Sequence, residues 1–180
     1  MSKISIDLLW EIGNGKMTPG DYSNQHEITF TPKIKIIGDS APDWSGDELN
    51  TNPEQTLAAS LSSCHMMTFL ALAAKMKWPI ISYKDNAVAT LGKNSKGKMS
   101  VTRLELSPKV SFSDKFTVDP NEMKKVQDRA HRYCFIANSL SGISLGGVTL
   151  AGTNLPFPLS LGNLSPKTIS SPGVVGDLLG

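Results

Sequence analysis

The sequence lacks a strong excess of charge of either sign. Its 180 residues carry 18 Lys and Arg against 16 Asp and Glu, which gives a formal net charge of +2. The basic side chains are scattered, apart from a short group between Lys124 and Arg132. Nucleic-acid-binding proteins normally concentrate Lys and Arg on one face, so this composition disfavours a nucleic-acid partner.

A long hydrophobic run is also missing. The longest purely apolar stretch, residues 69–74, is far shorter than the roughly 20 residues that a transmembrane helix needs. Near the N-terminus, Asp7 interrupts the apolar residues where a signal peptide needs a continuous run. We therefore expect a soluble, cytoplasmic protein with no membrane contact.

Cysteine is scarce, and this excludes a disulfide framework. The chain has two cysteines, Cys64 and Cys134, whereas small disulfide-stabilised secreted domains carry more. In a reducing cytosol, two such residues are inert core residues, metal ligands or redox-active thiols. Deciding among these three roles is the central question of the sequence.

What is present fits one α+β domain. Hydrophobic residues make up 39% of the chain, enough to form a core. Period-two alternation predicts strands in five segments: residues 3–12, 26–37 with an edge or bulge at Pro32, 80–91, 98–112 and 143–150. The first two segments are expected to form a hairpin.

The first predicted helix has a well-marked start. Asn52 is a favoured N-cap, Pro53 suits the first helical position, and Gln55 stands where a capping-box side chain reaches back. We expect the helix to end near Lys77, before Pro79. Residues 57–74 carry no formal charge, which indicates burial in the core or in an oligomer interface.

A second helix is predicted from Asp119, its N-cap, to about Leu140, with Glu122 at the capping-box position. Residues 1–150 are therefore expected to form the domain. Residues 151–180 hold only two charged side chains among many Leu, Gly, Pro and Ser, and we assign them to a C-terminal extension of unknown role.

Several chemistries remain open at the cysteines. Helical periodicity places Cys64 on one face with Leu57, Leu61 and Thr68, and both cysteines can be small buried apolar residues. A metal site is disfavoured because Cys64 and His65 point about 100° apart on a helix, and no C-x-x-C or H-E-x-x-H motif occurs.

A Cys–His hydrolase needs a histidine near the thiol, and no local pattern assigns His26 or His131 to that role. We expect His26 on a strand, His65 at a packing edge and His131 in solvent. Two cysteines on two separate helices also meet the need of a dithiol peroxidase, in which one thiolate attacks the peroxide and a second thiol captures the sulfenic acid.

Two segments resemble the OsmC/Ohr family. Asn-Pro-Glu-Gln-Thr-Leu-Ala-Ala-Ser-Leu-Ser-Ser-Cys-His-Met over residues 52–66 resembles the helix that carries the family's peroxidatic cysteine. His-Arg-Tyr-Cys-Phe-Ile-Ala-Asn-Ser over residues 131–139 resembles its second-cysteine helix. The resemblance covers about residues 3–150 and matches the predicted order of elements.

The resemblance implies an OsmC-like fold with antiparallel sheets, a long buried central helix and an intertwined homodimer. It also implies a thiol-dependent peroxidase for organic hydroperoxides, with Cys64 as the peroxidatic thiolate, Cys134 as the resolving thiol and Glu54 as the carboxylate of the active-site network. No metal or organic cofactor is implied. The reductant would be an external dithiol, of which a lipoylated protein is the family's best-known example.

One feature departs from the family pattern. Family peroxidases place an Arg in the N-terminal hairpin region, but the first Arg of this chain is Arg103. Lys16 lies in the corresponding loop, although Lys lacks the planar fork that binds a carboxylate with two hydrogen bonds. The alternative is therefore a non-catalytic protein of the same fold that binds an apolar ligand at the dimer interface.

Glu54 stands ten residues before Cys64, which on one straight helix corresponds to a rise of about 15 Å. Either the helix breaks between them, or Glu54 serves the cysteine of a second subunit. A first-turn carboxylate that interacts only with the helix dipole is the other possibility.

Overall fold

The computed structural model describes residues 2–113, 116–140 and 143–148, which form eight strands, three α-helices and a 3-10 helix at Pro42–Trp44. The strands are β1 Asp7–Leu9, β2 His26–Thr31, β3 Ile34–Gly38, β4 Ile80–Lys84, β5 Val88–Lys93, β6 Met99–Leu106, β7 Lys109–Phe112 and β8 Ser144–Val148. The helices are α1 Pro53–Lys75, α2 Pro120–Tyr133 and α3 Phe135–Ser139. The predicted domain end at residue 150 and the extension 151–180 lie outside the described residues.

The N-terminal sheet has the antiparallel order β1-β2-β3. The prediction of a single strand over residues 26–37 is wrong, because Pro32 and Lys33 form the turn between β2 and β3. Proline fixes φ and supplies no backbone N–H, so a turn accommodates it where a paired strand does not. The hairpin predicted near the N-terminus is confirmed by the antiparallel pairing of β1 with β2, and β3 adds a further antiparallel strand.

Helix α1 begins as the sequence predicts. The Asn52 side chain accepts a hydrogen bond from the Gln55 backbone N–H at 2.9 Å, and the Gln55 side chain accepts one from the Asn52 backbone N–H at 3.2 Å. The helix then continues unbroken for 23 residues to Lys75. By length and composition alone it is long and apolar enough to cross a membrane, a property that core helices of soluble proteins share.

The remaining strands form two small sheets. β4 pairs with β7 in antiparallel fashion, while β6 lies between β5, its antiparallel partner, and β8, its parallel partner. The predicted strands over residues 80–91 and 98–112 are thus each divided between two sheets. Asp85 lies in the segment between β4 and β5. Its carboxylate accepts hydrogen bonds from Ser62 and from the Ser107 backbone N–H.

The second helical region has the predicted extent but is interrupted. Asp119 caps α2 by accepting the backbone N–H groups of Asn121 and Glu122. Instead of continuing to Leu140, α2 ends at Tyr133, and Cys134 adopts an extended conformation with φ −72° and ψ 114°. The Ala137 backbone N–H donates to Cys134 Sγ at 3.4 Å, so the cysteine side chain caps the short helix α3.

Helix α1 separates two apolar clusters. One lies between α1, α2 and the β4–β7 sheet and contains Phe69, Leu72, Trp78, Met123 and Val126. The other joins α1 to the β5–β6 strands and α3, and contains Leu61, Leu104, Leu106, Cys134 and Ala137. In the part of the chain that the structure describes, neither cluster includes a residue of the β1–β3 sheet. The fold is therefore α+β, with α1 at its centre.

Candidate functional site

Cys64 lies in the middle of α1, on the face that the sequence predicts. Its side chain is half-buried and packs against the second apolar cluster beside Leu57. One turn later, Thr68 Oγ1 donates to the Cys64 carbonyl oxygen at 2.9 Å. The thiol is thus held on a regular helix, in apolar surroundings, with part of its surface open to solvent.

Cys134 lies at the joint between α2 and α3 and has no exposed surface. Both cysteines are free thiols. Burial raises the pKa of Cys134 to about 12, and the neighbouring Cys64 thiol adds to the shift. Cys64 packs against the apolar cluster that contains Cys134, so the two thiols are neighbours in the fold.

Glu54 is the predicted site residue that the structure keeps apart from the two thiols. It lies in the first turn of α1, and the helix is continuous from there to Cys64. The first of the two alternatives, a break in the helix between Glu54 and Cys64, is therefore wrong. About 15 Å of helical rise separates the two positions within one chain.

His65 is buried, which corrects the expectation of a packing edge. It has no exposed surface, and its Nε2 lies 2.7 Å from Gln127 Oε1 on α2. His131 is also partly buried rather than solvated, and the centroid of its ring lies 6.4 Å from that of His65. Burial lowers the pKa of both imidazoles, which keeps them neutral near pH 7.

A second polar contact links α1 to the strands beside His65. Ser62 Oγ donates to Asp85 Oδ2 at 2.5 Å, and the Ser107 backbone N–H donates to Asp85 Oδ1 at 2.6 Å. Burial, with a smaller contribution from Asp85, raises the pKa of Tyr83. Within the described residues, the buried Tyr83 hydroxyl and His65 Nδ1 have no hydrogen-bond partner.

This polar region is what sequence reasoning missed. The signal was present in helical spacing, since Ser62 and His65 are three residues apart and share a face of α1. Their partners, Asp85 and Gln127, come from distant segments, so no local pattern identifies them. The burial of a histidine can be predicted only when its hydrogen-bond partner is known.

The structure also bears on the metal and hydrolase alternatives. Among the residues that the structure describes, no group of three or more His, Cys, Asp and Glu side chains is arranged to hold a metal ion. His26 is on β2, as expected, and its Nδ1 lies 2.8 Å from the Asn24 carbonyl oxygen. His65 is bonded to Gln127 instead of to Cys64. Cys64 packs instead against the apolar cluster that contains the second thiol, Cys134.

Comparison with known proteins identifies the family and the fold of the chain. The family model for OsmC-like proteins matches residues 46–145. No curated protein matches the chain significantly. Among solved structures, an OsmC-like protein of unknown function from Vibrio cholerae is 37% identical, with a TM-score of 0.74 over 83% of this chain and 99% of that protein.

Two further structures share the fold at lower identity. An organic hydroperoxide resistance protein from Elizabethkingia anophelis is 17% identical, with a TM-score of 0.63 over 83% of this chain and 96% of that one. The organic hydroperoxide resistance protein OhrB of Bacillus subtilis is 16% identical, with a TM-score of 0.57 over 83% and 98%. With its family match and its 37% identical relative, the chain belongs to the OsmC/Ohr family.

Proposed function

We propose that the protein is a two-cysteine peroxidase that reduces organic hydroperoxides. The observation that supports this most directly is that Cys64 and Cys134, from distant segments of the chain, lie at the same apolar cluster, with Cys64 the more accessible of the two. Peroxide reduction by two cysteines requires an accessible thiol and a second thiol within bonding reach of it. Family membership supports the same proposal, since relatives in the family include organic hydroperoxide resistance proteins.

The reaction has two steps on this chain. The Cys64 thiolate attacks one peroxide oxygen, the O–O bond breaks, and the alkoxide takes a proton to leave as an alcohol. The sulfur is oxidised by two electrons to a sulfenic acid. The Cys134 sulfur then attacks the Cys64 sulfur, a disulfide forms, and the hydroxide leaves as water with the Cys134 proton.

The environments of the two thiols suit these different tasks. Cys134 is buried and its raised pKa keeps it protonated at neutral pH, so it does not compete with Cys64 for the peroxide. Cys64 is the more accessible of the two. Apolar side chains around it, including Leu57 and Ile136, favour an alkyl hydroperoxide over hydrogen peroxide.

Reduction of the disulfide requires a partner. An external dithiol, such as a lipoylated protein, would attack the Cys64–Cys134 bond by thiol–disulfide exchange and become a disulfide itself. No metal or organic cofactor takes part. A cycle of this kind suits the reducing cytoplasm, where we place the protein.

We also propose that the working unit is a homodimer. Glu54 belongs to the family's active-site network, yet about 15 Å of helix separates it from Cys64 of the same chain. Glu54 would therefore serve the Cys64 of a second copy. The uncharged, exposed positions Ser63 and Met67 on α1 support the same assembly, because an isolated soluble helix normally presents charged side chains there.

The test is peptide mass spectrometry of the reduced protein after one equivalent of tert-butyl hydroperoxide. We expect a Cys64–Cys134 disulfide in the wild type and none in Cys64→Ser. The matched variant Cys134→Ser should retain the first step and accumulate a Cys64 sulfenic acid, which a dimedone probe traps. The alcohol should be released in an amount equimolar with the disulfide, as the proposed reaction requires.

Thiols that stay reduced under these conditions would overturn the proposal. The absence of Arg from residues 1–102 favours one particular alternative in that case, a protein of this fold that binds an apolar ligand without turnover. Fatty-acid binding measured by calorimetry on the same sample would then be the positive result.

Lys16→Met tests whether the lysine in the N-terminal loop replaces the missing Arg, because loss of its charge should slow Cys64 oxidation.

A further inference from the structure

The two helices that carry the cysteines are joined by a buried polar link. His65 is adjacent to Cys64 on α1, and Gln127 lies on α2 two turns before Cys134. Their side chains are 0% and 2% exposed, and His65 Nε2 is 2.7 Å from Gln127 Oε1. Because an amide oxygen only accepts hydrogen bonds, the imidazole proton is on Nε2.

This link is directional, whereas most contacts around it are not. Helix α1 packs through Leu, Ala and Phe side chains, which tolerate small shifts along the helix axis. A hydrogen bond in a dry interior has a narrow range of length and angle, and breaking it leaves two buried polar groups without partners. It therefore opposes sliding or rotation of α1 against α2.

A disulfide is sensitive to such movements. Its Cα atoms must come within about 4.4–6.8 Å, and its sulfur atoms within about 2.05 Å, at a restricted dihedral angle. A shift of one residue along α1 moves Cys64 by about 1.5 Å and turns it by about 100°. Since His65 is the next residue, any displacement of its ring displaces the Cys64 side chain with it.

A second contact lies at the same level of the two helices. His131, three residues before Cys134, places its ring 6.4 Å from the ring of His65. Thus His65, which follows Cys64, lies against Gln127 and His131, which precede Cys134. Burial has the larger effect on both histidines and lowers the pKa of each, while the negative charge of Asp85 raises the pKa of His65 and that of Asp128 raises the pKa of His131.

We propose that His65 and Gln127 are positioning residues that fix α1 against α2, so that the Cys134 thiol is held within bonding reach of Cys64. They act through the two helices rather than on the peroxide or on the thiols. Their contribution is to the rate and equilibrium of disulfide formation, in which the Cys64 sulfenic acid and the Cys134 thiol give a disulfide and water. The inference rests on the proposed function for its role in the cell.

The test measures thiol proximity without peroxide. Wild type and variants are equilibrated with mixtures of reduced and oxidised glutathione, in which one oxidised glutathione and two protein thiols give the protein disulfide and two reduced glutathiones. The equilibrium constant reports the effective concentration of one thiol at the other. Gln127→Met, which removes the acceptor and keeps the side-chain length, should lower this constant on the order of tenfold.

Two variants distinguish positioning from general stability. Val126→Ala truncates a neighbouring buried residue of α2 and leaves the hydrogen bond intact, so it should leave the constant unchanged. Gln127→Glu retains an acceptor oxygen for His65 and should restore most of the wild-type value. Should Gln127→Met not fold, the apolar double variant His65→Leu/Gln127→Met removes both polar groups together and should show the same loss.

The outcomes separate the two proposals. A wild-type protein that forms no disulfide at any glutathione ratio would refute the two-cysteine function itself. A wild-type disulfide whose constant is unchanged in Gln127→Met, or reduced equally in Val126→Ala, would refute the positioning role alone. In the peroxide reaction, the positioning role requires that Gln127→Met oxidise Cys64 at the wild-type rate while its sulfenic acid persists longer.

Discussion

At the residue scale, the two cysteines differ in what surrounds them more than in their chemistry. Cys64 lies at the edge of an apolar cluster with part of its surface exposed, whereas Cys134 is enclosed and caps α3 through its sulfur. Burial favours the uncharged thiol of Cys134, and the neighbouring Cys64 thiol adds to that preference. Accessibility and protonation therefore both direct external reagents to Cys64.

This contrast predicts selective alkylation. With iodoacetamide at pH 7, Cys64 should be modified in the folded protein while Cys134 remains unmodified, because its pKa is raised to about 12 and it has no exposed surface. Peptide mass spectrometry over a time course measures both rates. In denaturant the two cysteines should react alike, which serves as the control. Equal rates in the folded protein would contradict the structure.

The histidine pair predicts a loss of stability in mild acid. Burial lowers the pKa of His65 and of His131, so the folded protein binds fewer protons than the unfolded chain below about pH 6.5. Their contribution is therefore present above that pH and is lost as the pH falls toward the folded pKa values. Urea unfolding at pH 7.5, 6.5 and 5.5 should show this decline, and the double variant His65→Gln/His131→Gln should show much less of it.

At the element scale, the segment before α1 is held by one carboxylate. Asp39 is buried and accepts hydrogen bonds from the backbone N–H groups of Ser40 at 2.7 Å and Asp47 at 3.1 Å. Burial raises its pKa, but these bonds and one from Asn50 outweigh burial and lower it overall. The side chain thus orders the chain that leads into the N-terminus of α1, where Glu54 lies.

Asp39→Ala should lower the free energy of unfolding by about 1–3 kcal/mol, because it leaves two backbone N–H groups without their acceptor. A lowered carboxyl pKa stabilises the protein above about pH 4, and this contribution is lost as the pH falls further, so the deficit of the variant should shrink there. Chemical denaturation at pH 7 and pH 3 measures both effects. Asp43→Ala, an exposed position in the same segment, is the matched control, and an equal loss there would contradict the assignment.

Elements with local signals were predictable from the sequence, and those set by distant contacts were not. The start of α1 was predicted because Asn52, Pro53 and Gln55 are adjacent and make their bonds to one another. The interruption at Cys134 was not, because it depends on a thiol that caps α3 and is buried in a cluster with residues of α1. The burial of His65 likewise depends on Gln127, 62 residues away.

At the scale of the whole molecule, the N-terminal sheet has an apolar face that, among the described residues, lies outside both core clusters. Leu8, Ile28 and Ile36 are register partners across β1, β2 and β3, so they form a row on one face. Leu8 is exposed and the other two are half-buried. A sheet with such a face is stable in water when something covers it, and a second copy of the chain fits the proposed dimer.

Charge placed in this row should separate the subunits. Leu8→Lys/Ile36→Lys introduces two charges whose burial in an interface is unfavourable, so light scattering coupled to size exclusion should give a dimer mass for the wild type and a monomer mass for the variant. Thr29→Lys adds a charge to the opposite face, since Thr29 pairs with Asp7 and Lys35, and it should remain a dimer. A wild-type monomer that still turns over hydroperoxide would contradict the dimeric site.

A dimer in which Glu54 serves the other subunit also predicts complementation. Glu54→Gln and Cys64→Ser should each be inactive or nearly so as homodimers. In a mixed dimer, the intact Cys64 of one chain meets the intact Glu54 of the other, and one of the two sites is complete. Random exchange makes half of the dimers mixed, so about a quarter of the wild-type activity per chain should return. If the activity of the mixture equals the summed activities of the two homodimers, Glu54 takes no part in the reaction at the neighbouring subunit. It would then have no role at Cys64, because the continuous helix α1 keeps the two residues of one chain apart.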